Sequence, residues 1–151
     1  MAISNDNFIS ESIIWIRNRL LSVVVDPIKD TRIRNKEKFV LTSYPQRPVG
    51  YPIITVQQIG ANSRNLGMQS EEQLFEIRYE IRIWARNISE KDKLSEEVLN
   101  ALKNYQTDTA GSNAQGIYGF RLNSMVNVDE PGEGNPKSKI LEITYIYINN
   151  N

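Results

Sequence analysis

Residues 75–84, "FEIRYEIRIW", hold the densest set of side chains that could do chemistry. Glu76, Arg78, Glu80 and Arg82 alternate with Phe75, Ile77, Tyr79, Ile81 and Ile83, and Trp84 ends the charged series. A period of two places the charges on one face of a strand and the apolar side chains on the other. A carboxylate-dependent nuclease would use such carboxylates to hold a metal, with an acidic residue and a Glu-x-Lys on neighbouring strands. Here Arg78 and Arg82 stand at the lysine spacing. An arginine stays protonated and does not replace a lysine of tuned pKa. The other acidic pairs, Glu71-Glu72, Glu96-Glu97 and Asp129-Glu130, fall in polar helix faces or loops and read as solvated surface.

The chain has no histidine and no cysteine. This excludes disulfides, the usual structural zinc sites, thiol nucleophiles and a Ser-His-Asp triad. It also removes the commonest general base near neutral pH. Neither a catalytic residue nor a metal or cofactor site is expected. "GANSRNLG" (60–67) has two glycines but lacks the lysine and the helix of a phosphate loop.

Eighteen basic residues cancel eighteen acidic ones. A free-standing DNA-binding domain is usually basic, so this balance argues against general nucleic-acid affinity. Parity also separates Tyr79, on the apolar face, from Arg78 and Arg82, so the strand is no stacking platform for bases. Two readings of the charged face stay open. One is a solvated sheet face with cross-strand ion pairs, each worth at most about 1 kcal/mol. The other is a protein interface, because Trp and Arg are enriched among residues that dominate binding energy.

These residues must be positioned by the elements around them. "SESIIWIRNRLLSVVV" (10–25) predicts an amphipathic helix capped by Ser10, with Ile13, Ile16, Leu20 and Val24 as its stripe and Ile14 and Leu21 widening it. Asp26-Pro27 ends it. Residues 38–44 and 51–59 predict strands, and residues 60–72 a long loop. Residues 75–84 form the third strand. Ser89 predicts the N-cap of a second helix that buries Leu94, Val98, Ala101 and Leu102. Residues 117–128 and 138–148 predict the last two strands, the final one apolar on both faces and hence interior. The order α-β-β-β-α-β-β predicts an α+β fold, with a single mostly antiparallel sheet of about five strands and both helices on one face. The length of 151 residues fits a single domain, with residues 1–9 and 149–151 as flexible ends. No signal peptide or membrane span is expected.

The element order and the segment "IRIWARNISEKDKLSEEVLNALKN" (81–104) resemble the tail terminator and tail completion proteins of tailed bacteriophages. That family runs helix, strands, helix, strands. One strand ends in an apolar-x-Val/Ile-Trp run, matched here by Ile81, Ile83 and Trp84, and the helix after it repeats apolar residues, matched by Leu94, Val98, Ala101 and Leu102. Lys91 stands where an alanine is frequent, and the polar 107–116 segment and the asparagine-rich tail have no counterpart in the family pattern.

The resemblance implies a non-enzymatic virion protein. It would be a subunit of a hexameric ring at the neck, made in the host cytoplasm, that caps the tail tube and meets the head connector. The implied partners are copies of itself, the tail tube protein and the head-tail connector proteins. DNA would pass through the ring without specific binding, and no membrane is involved. The implied contact residues are Arg64, Leu66 and Met68 in the long loop and Glu76, Arg78, Glu80, Arg82 and Trp84 on the charged strand face. The alternatives from other classes are another small neck or tail part (head completion or tube-like), a small carboxylate-dependent nuclease, and a ligand-binding α+β module.

Overall fold

The computed structural model describes residues 7–28, 39–44, 50–65, 73–106, 116–129 and 135–149. The elements in chain order are α1 (Phe8–Val23), β1 (Val40–Leu41), β2 (Ile53–Asn65), β3 (Gln73–Ala85), α2 (Ile88–Gln106), β4 (Ile117–Asp129) and β5 (Lys137–Asn149). The strands form one sheet in the order β1-β2-β3-β5-β4. Only the short β1–β2 pair is parallel; β2–β3, β3–β5 and β5–β4 are antiparallel. The fold is the mixed α+β arrangement that the element order predicts, with both helices against the sheet.

The core lies between the helices and one sheet face. Alternation along β3 sends Ile77, Tyr79, Ile81, Ile83 and Ala85 inward, and Leu141, Ile143, Tyr145 and Tyr147 of β5 lie beside them. Ile16, Leu20 and Val24 of the α1 segment and Leu94, Val98, Ala101 and Leu102 of α2 close over them. Arg19 Nε donates to the Ala101 carbonyl at 3.3 Å and ties the two helices together. Two serines within this layer are hydrogen-bonded inside it. The Ser12 hydroxyl is hydrogen-bonded to Tyr79 Oη and donates to the Ile9 carbonyl, and Ser95 Oγ donates to the Lys91 carbonyl at 2.7 Å.

Several boundaries differ from the sequence expectation. Helix α1 starts at Phe8, with Asn7 rather than Ser10 at its N-cap. Phe8 stacks on Tyr147 with ring centroids 4.8 Å apart, so residues expected in a flexible end belong to the core layer. Asn149 likewise closes β5. Ile14 and Leu21 do not widen the buried stripe; they are 50% and 41% exposed. At 100° per residue Ile14 lies nearly opposite Ile16; the buried line Ser12, Ile16 and Leu20 is flanked instead by Ile13 and Trp15, which pack against the core.

Helix α2 is capped by Asn87, not Ser89: Asn87 Oδ1 accepts from Glu90 N at 2.9 Å. Glu90 Oε1 in turn accepts from Arg86 N at 3.1 Å, so two backbone donors at the helix entry are satisfied. Strand β1 is only two residues long. The expected loop at 60–72 is strand up to Asn65, paired through to Gln73, and residues 66–72 lie outside the described residues. The backbone ladder needs no apolar stripe, and the long β3 offers pairing groups along that whole length. A bulge between Gln58 and Gly60 shifts the register by one residue, and Ile59 is the extra one.

Candidate interaction surface

The outer sheet face has no helix over it among the described residues. Its centre is the even-numbered series of β3. Asn62, Gly60, Gln57 and Thr55 of β2 lie opposite Glu76, Arg78, Glu80 and Arg82 on one side. Ile146, Thr144, Glu142 and Ile140 of β5 lie opposite the same four on the other. Strand β4 extends the surface with Tyr118, Arg121, Ser124 and Val126. The face therefore has a charged middle and an apolar flank.

Side chains two apart on β3 share a face but stand two residue rises apart along the strand, farther than a directly opposite cross-strand neighbour. The charges pair across strands instead. Arg121 Nη2 lies 2.8 Å from Glu76 Oε1, and Arg78 Nη1 lies 4.0 Å from Glu142 Oε1. Asn123 Nδ2 donates to Thr144 Oγ1 at 2.5 Å and reaches Glu142 Oε1 at 3.5 Å. The Arg78 guanidinium lies over Gly60, where a Cβ would come within 2.8 Å of Nη2. Glu80 lies directly opposite Glu142 in the β3–β5 register, and this like-charged pair opposes pairing rather than aiding it. The cross-strand ion-pair reading thus holds at Glu76 and Arg78 and fails at Glu80.

Arg82 and Trp84 build a different feature. The Arg82 guanidinium carbon sits 3.7 Å from the Trp84 ring centroid, a cation–π distance. Its Nη2 donates to Ser138 Oγ at 3.0 Å, and Ser138 Oγ donates to the Val128 carbonyl at 2.5 Å. Trp84 Nε1 donates to Thr55 Oγ1 at 3.3 Å. Tyr44 tilts against Trp84 with centroids 4.8 Å apart, and its hydroxyl lies 2.6 Å from that of Tyr51. The result is a partly exposed aromatic and guanidinium cluster at one end of the charged row. Tyr44 and Tyr51 carry no charge pattern, so the sequence offered no signal for their part in it.

Leu66 and Met68 are not among the described residues, and Arg64 is placed by its backbone alone, opposite Leu74 in the β2–β3 ladder. Asp129, read from sequence as solvated, is engaged: Lys91 Nζ donates to its Oδ1 and Oδ2 at 3.0 and 2.9 Å. Lys91 is itself only 2% exposed. Its long stem is buried, and its ammonium meets the end of β4. Glu71, Glu72 and Glu130 lie outside the described residues. Among the described residues no three His, Cys, Asp or Glu side chains converge as a metal-binding group, and no helix is long and apolar enough to cross a membrane. No protein-family model matches this chain, and no curated protein matches it.

Proposed function

We propose that the chain is a non-enzymatic virion structural protein, a subunit of the ring that ends a phage tail tube and joins it to the head connector. The family resemblance of residues 81–104 motivates this reading. The observation that carries it is the open outer sheet face, where Arg82, Trp84, Tyr44 and Tyr51 cluster beside a nearly neutral Glu-Arg row. Trp, Tyr and Arg are the residue types that dominate interface energies. Alternating charges set register and exclude wrong partners more than they add affinity. A solvated face would serve as well with lysines and no tryptophan.

On this reading the charged row of β3 needs no chemistry at its end, and the partner is protein: a neighbouring subunit, the tube or the connector. Ring subunits meet through two different patches, so that one contact repeats and closes. The test is a reconstruction of the assembled particle. The expected result is a closed ring of this chain at the head-tail junction. A particle whose neck lacks the chain, or holds it as a single copy, refutes the proposal.

A further inference from the structure

Strand β4 is an edge strand, thirteen residues long, and all but two of its residues are open to solvent: only Ile117 is buried, with Phe120 half-buried. Its far side has no strand partner among the described residues, so a row of backbone N–H and C=O groups stands unpaired there. Proteins usually blunt such an edge with lysine, proline or inward charges. Strand β4 has no lysine and no proline. Its two charges are neutralised within the subunit, Arg121 by Glu76 and Asp129 by Lys91. Between them runs "LNSMVNV" (122–128), uncharged, with Leu122, Met125, Val126 and Val128 between 36% and 52% exposed.

The opposite edge of the sheet has the same character. Strand β1 covers β2 only at Ile54 and Thr55. Beyond it "VQQIGANS" (56–63) is again uncharged, without lysine or proline, and has no second neighbour among the described residues. Ala61, Asn62 and Ser63 are exposed and small, and Ile59, the extra residue at the bulge, is 42% exposed.

We propose that these two edges are the halves of one joint: β4 of one copy adds to the uncovered part of β2 of the next. Strand direction favours this pairing. Strands β2 and β5 run one way and β3 and β4 the other, so the two edges point in opposite directions. Copies related by a simple rotation about an axis along the strands meet antiparallel, and the alternation of the sheet continues unbroken from copy to copy. The neutral windows are seven and eight residues long, the extra one being Ile59 at the bulge, and the large side chains of β4 meet the small Ala61, Asn62 and Ser63 of β2. Pairing β4 with β4 of a second copy would satisfy one edge and leave the β2 edge open; the head-to-tail joint satisfies both. The outer faces of all copies then lie on one side, with every pair of helices on the other. Closure of this series into a circle rests on the ring reading above; the joint itself does not.

Two double variants at exposed positions test it: Met125→Lys/Val126→Lys on β4, and Ala61→Lys/Asn62→Lys on β2. Circular dichroism and thermal melting establish that each is folded. Mass is then read by sedimentation across a concentration series. The expected result is that the wild type assembles, each variant alone runs at the 17.4 kDa monomer mass, and an equimolar mixture forms a dimer of twice that mass. The dimer arises because one variant keeps an intact β2 edge and the other an intact β4 edge. Association of the β2 variant with itself while the β4 variant stays monomeric would show a β4–β4 contact and overturn the proposal. So would a wild type that is monomeric at every concentration, or variants that assemble as the wild type does. Particles whose neck contains both variants normally would overturn the joint and leave the neck reading intact. A ring built through this joint but missing from the neck would do the reverse.

Discussion

Changing Asp129 to Asn should destabilise the fold more than changing Lys91 to Met, although both break the same ion pair. Lys91 Nζ holds both oxygens of Asp129 at 3.0 and 2.9 Å, and the two side chains differ in exposure, 2% for the lysine and 31% for the aspartate. Removing the carboxylate charge leaves the ammonium buried with a single neutral acceptor. Breaking a fully buried pair costs about 3–5 kcal/mol. Two features lower that figure here: water reaches the Asp129 side, and Asp92 lies close enough for Lys91 to help hold its carboxyl below the usual range, after the larger effect of its hydrogen bond to Lys139. About 2 kcal/mol remains. Lys91→Met keeps most of the packed stem and leaves a carboxylate that can turn to water, at a cost of about 1 kcal/mol or less. For a chain of this length 2 kcal/mol lowers the melting temperature by about 4–8 °C. Urea and thermal unfolding of both single variants and the double variant measure this, and the double should recover most of the loss seen in Asp129→Asn. A Lys91→Met variant as unstable as Asp129→Asn would refute the reasoning that the buried ammonium is the costly partner.

Asn87→Ala should cost about 1 kcal/mol through loss of the α2 cap, and Ser89→Ala less than about 0.5 kcal/mol; equal costs in chemical denaturation would contradict the observed cap. Burial pushes the Tyr79 hydroxyl up to about 12, its hydrogen bond to Ser12 opposing the shift, and burial also raises Tyr145. An unfolded tyrosine ionises near 10 while folded Tyr79 keeps its proton, so this stability is intact below about pH 10 and is lost as pH rises through about 12. The slope is about 1.4 kcal/mol per pH unit for each such group, and Tyr79→Phe should flatten it in an alkaline unfolding series. Trp84→Ala should weaken the contact with a tube or connector partner at least tenfold, a loss of about 1.4 kcal/mol or more, with far less effect on folding; unchanged binding in a pull-down titration would remove the aromatic cluster from the interface.

Local rules carried much of the architecture. Period-two alternation over residues 75–84 identifies β3 as a half-buried strand, and the apolar residues on both faces of 138–148 mark β5 as interior, because each kind of burial leaves its own pattern in the sequence. Fourfold spacing gives Ile16, Leu20, Val24 and Leu94, Val98, Leu102, since a helix buries one stripe. Element order then yields the α+β class and the common side of the helices. The charged face of β3, Glu76 to Trp84, was also legible, since parity alone assigns it.

Tertiary structure decided the rest, and in each case the deciding contact is distant in sequence. Asn87-x-x-Glu90 and Ser89-x-x-Asp92 both satisfy the cap pattern; the first operates because β3 ends at Ala85 and places Asn87 at the helix entry. Gly60 to Asn65 look like loop from their composition, yet β3 pairs with them along its full length. Ile14 and Leu21 have the hydropathy of core residues, but they fall on the side of α1 turned away from the sheet. Tyr44 reaches Trp84 and Lys91 reaches Asp129 only once the chain has folded. The interior place of β5 was legible in its own residues, but which strands stand at the edges was not: it is the insertion of β5 between β3 and β4 that leaves β4 open. A local pattern records what one segment buries, whereas an edge is defined by the neighbour it lacks.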